Sequence, residues 1–188
     1  MRIISGDLKG KKILLPKDKL TRPLKDLTKE SIFNIIGHSK LLNVHLENAN
    51  VLDLFSGIGS FGLECLSRGA SFVTFLENYK EVLTILKKNI NNMNQQNFSH
   101  VIEKDIFSES TLKLLHNKFD IIFMDPPYKE KKVLDILNII IKLNLLKKNG
   151  VIIIHRHKKE KDIFPEKFKI IINKNYGISK IIFGNNLA

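Results

Sequence analysis

The stretch FDIIFMDPPYKEKK, residues 119–132, closes an apolar run on Asp125, Pro126, Pro127 and Tyr128. Both prolines lack an N–H donor and hold φ near one value, so this backbone offers carbonyl acceptors in a stiff frame. A carboxylate and a carbonyl side by side only accept hydrogen bonds. That suits an exocyclic amino group, whose two N–H bonds are held while its lone pair turns toward an electrophile. Tyr128 adds a flat face on which a base can stack. The chemistry expected is an in-line displacement that depends on positioning and charge placement.

A second constellation lies upstream in DLFSGIGSFG, residues 53–62. Gly57, Gly59 and Gly62 form a G-x-G-x-x-G between a strand and a helix, and Glu77 ends the next strand. Such a turn brings backbone close to a ligand, and the acid can accept hydrogen bonds from ribose hydroxyls. The glycine spacing alone would also serve an NAD enzyme, since tight strand–helix turns need glycine anyway. Asp53 argues otherwise: a carboxylate just before the loop repels a pyrophosphate but suits a cation or an ammonium group. Asp105, at the end of EKD, falls where an adenine would lie if Glu77 holds the ribose. Capping of the following helix is an equal alternative for Asp105. S-adenosylmethionine, a nucleoside with a sulfonium and an amino acid tail, fits this set better than two phosphates. No acid–base partner for hydride transfer accompanies the glycines.

The elements that must position these residues alternate. Short apolar strands are expected over 51–55, 71–77, 98–105, 119–125 and 150–157, with helices following the first four. Near the end, KFKIIINK and ISKIIFG flank NYG and read as a hairpin. The fold class expected is α/β: a doubly wound, mostly parallel Rossmann-like sheet with a C-terminal antiparallel hairpin. Upstream, residues 2–5 and 11–15 read as two short strands. DLTKESIFNIIGH reads as a helix with Leu27, Ile32, Ile35 and Ile36 on its apolar face and Gly37 as its stop. Residues 38–49 mark a junction, so 1–48 is expected to be a small appendage and 49–188 the main domain.

The 188 residues are 43% hydrophobic and carry a net charge of +12, which suits one globular domain with a polyanionic partner. The charge is uneven: residues 1–48 hold ten Lys/Arg against five Asp/Glu, residues 49–128 seven against nine, and residues 129–188 fourteen against five. A uniform compositional bias would not leave the middle acidic, so the middle reads as a small-molecule core with basic flanks. No apolar run approaches a membrane span, and MRIISGDLKG lacks the apolar stretch of a secretory signal. The lone cysteine, Cys65, excludes an internal disulfide and points to a reducing cytoplasmic setting. It reads as a small buried hydrophobe. His155 and His157 share a face of one strand without further ligands nearby, so an exposed basic strand end is expected rather than a metal site.

D-x-F-x-G-x-G followed by D-P-P-Y resembles the amino-methyltransferases that use S-adenosylmethionine. R-I-I-x-G-x-x-x-G-x-K (2–12) and R-P-x-x-D-x-x-K-E-x-x-F-N (22–34) are similar to the bacterial 16S rRNA guanine-N(2)-methyltransferases of the RsmD type. The resemblance spans nearly the whole chain. It implies that Asp53, Gly57, Gly59, Glu77 and Asp105 bind the cofactor, and that Asp125, Pro126, Pro127 and Tyr128 hold the amine. It also implies action on guanine in 16S rRNA of the small ribosomal subunit, and the chain is expected to work as a monomer. The chain departs from the family pattern at Leu24, Leu27 and Lys29, and in the HRH that ends strand five, where relatives tend to carry a glutamate. Two basic groups are then expected to grip RNA on either side of a flipped guanine. One is Lys129, Lys131 and Lys132 together with the run KKEK at 158–161, which follows strand five; the other is Lys9, Lys11, Lys12, Arg22 and Lys25. The rival expectations are the same chemistry on DNA adenine or a protein glutamine, and a non-catalytic RNA-binding assembly factor.

Overall fold

The computed structural model describes residues 1–16 and 24–186. Five parallel strands form its centre: β1 (Asn50–Leu54), β2 (Phe72–Leu76), β3 (Ser99–Ile102), β4 (Phe119–Met124) and β5 (Leu146–His157). β6 (Phe168–Tyr176) and β7 (Ser179–Asn186) form the expected antiparallel pair. The order across the sheet is β3-β2-β1-β4-β5-β7-β6, with β7 antiparallel to β5. This is the expected α/β architecture.

The helices are α1 (Asp26–His38), α2 (Ser60–Ser67), α3 (Lys80–Asn92), α4 (Glu109–Leu112) and α5 (Val133–Lys142). On α5, Val133, Ile136, Leu137 and Ile140 are buried, the spacing of one helical face. Side chains alternate along each strand, so the sheet carries two cores. Val51, Ile121 and Val151 face one core, shared with α1, α2 and α3; Leu52, Ile122 and Ile152 face the other, shared with α4 and α5. Through the first core runs a stack of rings: Phe33 on Phe61 at 5.2 Å between centroids, and Phe61 on Phe123 at 3.9 Å.

Several local expectations change. Residues 2–5 and 11–15 make a single antiparallel bridge, Arg2 with Lys12, rather than two strands. On α1, Leu27 is 72% exposed while Lys29 is fully buried, and the helix runs through Gly37 to His38. β3 stops at Ile102, three residues short of Asp105, and α4 is one turn. Ile3, Ile13, Leu24 and the inner face of α1 belong to the same core as the sheet. As expected, Cys65 is buried on α2, and burial pushes its thiol pKa well above the usual value.

Between β1 and β4 the order reverses, because β1 continues outward to β2 while β4 continues to β5. Loops leaving the carboxyl ends of these two strands diverge and open a crevice, the usual ligand site of such sheets. Leu54 pairs with both Leu76 and Met124, so Phe55, Glu77 and Asp125 all leave the sheet at one level.

Candidate active site

The loop after β1 is tightly wound. Phe55 takes φ 59°, Gly57 53° and Gly59 83°, all left-handed. A side chain on Gly59 would also bring its Cβ to 2.5 Å from Leu86 Cδ1, and one on Gly62 would come to 2.3 Å from the Phe75 ring. Gly62 thus serves the close packing of α2 on β2. Asn89 braces the loop from α3, donating to the Ile58 carbonyl at 3.0 Å while accepting from Leu14 N–H at 2.8 Å. The N-terminal segment therefore bears on the glycine loop through one side chain.

Asp53 is buried, and its Oδ2 accepts from Gly62 N–H at 3.0 Å. Its pKa lies well above the usual carboxylate range: burial contributes most, the Gly62 hydrogen bond opposes, and the charges of Asp125 and Glu77 add to the rise. Glu77 spans the gap from β2 to the glycine loop. Its Oε2 accepts from Gly57 N–H at 2.8 Å, and its Oε1 from Asn78 and Tyr79 N–H at 2.9 Å each. A carboxylate has about four lone-pair positions, so one on Oε2 remains for a ligand hydroxyl. Asp105 is exposed, and its Oδ1 accepts from Phe107 N–H at 3.1 Å. The N-cap of α4 is Ser108, so Asp105 does not cap that helix. Phe107 lies edge-on to Phe55 at 5.7 Å, with Lys132 Nζ 5.2 Å above its ring.

On β4's side, Asp125 Oδ1 lies 2.7 Å from His155 Nδ1, and His155 Nε2 lies 2.9 Å from Ser179 Oγ. His155 is buried, not the exposed strand end expected of it. The Pro127 carbonyl is taken, accepting from Glu130 N–H at 2.8 Å and Arg156 Nη1 at 3.2 Å. The Pro126 carbonyl meets no donor among the described residues, which makes it the carbonyl available to an amine. Tyr128 is half-buried, its ring edge-on to His155 at 5.9 Å and to His157 at 5.2 Å.

The crevice thus gathers Asp53, Glu77 and Asp125, while the loop 53–62 carries no basic side chain. A donor set of this sign favours a cation over a phosphate, and the residues present fit S-adenosylmethionine. Lys9, Lys11, Lys12, Lys25, Lys129 and Lys131 are exposed, as is Lys132 apart from its contact with Phe107; Arg22 lies outside the described residues. Sequence reasoning missed Arg156 and Ser179 as well as the role of His155. The only signal was parallel register: with Met124 opposite Ile154, Asp125 and His155 come next.

A family profile described as conserved hypothetical protein 95 matches residues 1–185. The ribosomal RNA small subunit methyltransferase D of Buchnera aphidicola subsp. Acyrthosiphon pisum is 35% identical over 92% of this chain and 86% of its own length. The protein of that name from Haemophilus influenzae is 32% identical over 95% of this chain and 90% of its own. A solved structure from Haemophilus influenzae, provisionally assigned as a methylase, aligns with a TM-score of 0.77 at 30% identity, covering 100% of this chain and 98% of that one.

Proposed function

This chain belongs to the conserved hypothetical protein 95 family, and from that premise we propose that it methylates the exocyclic 2-amino group of a guanine in 16S rRNA, using S-adenosylmethionine. The observation that carries the reading is the meeting of two sets of residues at one crevice. The cation-favouring Asp53 and Glu77 come from one strand-end pair, and the acceptor-only Asp125–Pro126 from the neighbouring strand end. The choice of guanine in small-subunit rRNA rests on the N-terminal motifs and on the names of the relatives. We also propose that it acts as a monomer in the cytoplasm. Among the described residues no helix is long and apolar enough to cross a membrane.

Glu77 holds the ribose hydroxyls, Asp105 the adenine amino group, and Asp53 supplies negative charge beneath the glycine loop. When bound, S-adenosylmethionine supplies an electrophilic methyl group on a sulfonium. Asp125 Oδ2 and the Pro126 carbonyl each accept an N–H of the guanine amine, which aims its lone pair. Tyr128 stacks on the base, and Asp125 is placed to take the proton that the amine releases. The exposed lysines on either side hold the phosphates that flank the flipped base.

Labelled methyl transfer should be measured on small ribosomal subunits, free rRNA, DNA and release factors. Transfer to guanine of the subunit or its rRNA is expected. Transfer only to DNA or to a release factor would move the activity to adenine or glutamine. Cofactor binding without any transfer would favour an assembly factor. In cells lacking the protein, mass spectrometry of 16S rRNA should show one guanine without its methyl group.

A further inference from the structure

Building on that assignment of the site, we propose that His155, Arg156 and His157 form a clamp that sets the working geometry of the Asp125–Tyr128 loop, with His155 and Arg156 as positioning residues for methyl transfer. The loop between β4 and α5 contains no helix or strand, so its order must come from neighbours. β5 outruns β4 at this edge, and its last residues alternate about the sheet. His155 and His157 continue the face of Ile153, and Arg156 that of Ile154. The loop is therefore held from both faces.

Each residue of the triplet meets a different part of the loop. His155 bridges Asp125 Oδ1 at 2.7 Å and Ser179 Oγ at 2.9 Å. With Asp125 ionised, Nδ1 carries the proton and donates. The serine hydroxyl then donates to Nε2 of a neutral ring or accepts from a charged one, so the ring stays anchored to β7 in either state. Because Oδ1 is committed to His155, Oδ2 is left for substrate. Arg156 is 1% exposed, yet its donors go to the loop: Nη1 to the Pro127 carbonyl at 3.2 Å and Nη2 to the Glu130 carbonyl at 2.7 Å. Its Nε donates to Asp162 at 2.8 Å, and Lys180 holds the other oxygen of Asp162 at 3.2 Å. A planar fork with fixed donor directions reads loop geometry in a way that a lysine cannot. By occupying the Pro127 carbonyl, Arg156 leaves Pro126 to face the amine. His157 lies against the edge of Tyr128.

The test compares wild type with His155→Ala, His155→Asn, Arg156→Lys and Asp125→Ala. Three quantities are measured: steady-state transfer to small subunits, S-adenosylmethionine binding by calorimetry, and amide exchange in the free protein. His155→Ala should lower kcat by about 10²-fold. Its KM for subunits and its cofactor affinity should stay within about threefold, and His155→Asn, which can still donate to Asp125, should regain about tenfold. Exchange across residues 125–132 should quicken in His155→Ala and Arg156→Lys while the glycine loop keeps its protection. A normal kcat in His155→Ala, or unchanged exchange at 125–132, overturns the clamp. Asp125→Ala keeps the two ideas apart. If it is inactive while His155→Ala is normal, only the clamp fails; if it turns over normally, the site assignment itself fails. Should His155→Ala lose its cooperative melt, His155→Asn decides: a kcat within about tenfold of wild type with protected exchange supports the clamp, and a loss of about 10²-fold or more with quickened exchange overturns it.

Discussion

Replacing Asp125 by alanine removes one of two acceptors for the amine and frees His155 from its partner. We expect kcat to fall by about 10²–10³-fold in a methyl-transfer assay. Calorimetric affinity for S-adenosylmethionine should be nearly unchanged, because Glu77 and the glycine loop stand on other strands. Asp53 leads to a different prediction. Its folded pKa is raised above the ordinary 3.8, so its contribution is fully present below that value and is lost as pH rises through the folded pKa. Asp53→Asn keeps an acceptor for Gly62 N–H and discards the buried charge. The variant should melt higher than wild type at pH 7, by roughly 2–4 °C for each kcal/mol relieved. The gap should close as pH falls toward 4. The same variant should bind the cationic cofactor more weakly, an exchange of function for stability. A pH series of thermal melts beside calorimetry checks both halves.

The elements show why part of the site was legible in sequence. Asp125 to Tyr128, the glycines and Glu77 sit at strand ends, and strand ends follow from apolar runs and turn residues along the chain. α1 was legible as a helix, and Ile32, Ile35 and Ile36 pack on the core as its spacing implied, but its first turn was not legible. Its spacing placed Leu27 inward, whereas the buried residue is Lys29, because α2 presents Glu64 to it at 3.3 Å. Every residue of α2 is buried, so Glu64 must find partners, and it accepts from Ile4 and Ser5 N–H, Lys29 and Arg68. Burial lowers the Lys29 pKa, and Glu64 opposes that shift. Glu64→Gln leaves Lys29 without its counter-ion and should cost about 3–5 kcal/mol. Lys29→Met should cost less, since Glu64 keeps Arg68 and two amides. Denaturant melts of the two variants test that order. Phe61→Ala, which empties the middle of the Phe33–Phe61–Phe123 stack, should cost about 3–5 kcal/mol by the same measurement.

For the whole molecule, charge is the property that reaches farthest. Lysines rim the crevice after β4, and others stand on the N-terminal segment, while the middle of the chain is acidic. Lys129→Glu with Lys131→Glu should weaken RNA binding and lower the slope of log affinity against log salt by about 2, leaving cofactor affinity unchanged. Filter binding over a salt series checks this, and an unchanged slope removes the rim from the RNA path. Lys132 is a poorer probe, because it also lies over Phe107 beside Phe55.

By itself the sequence determined the alternation of strands and helices, the glycine turn, the acids at the strand ends and the acceptor-only DPPY. Each depends on residues close together in the chain, where propensity and periodicity act. Only the tertiary structure decided that His155 grips Asp125, that Arg156 commits the Pro127 carbonyl, and that Lys29 answers Glu64. Those pairs lie 30, 29 and 35 residues apart. They meet because strand register and helix packing, set by burial across the whole sheet, bring them together.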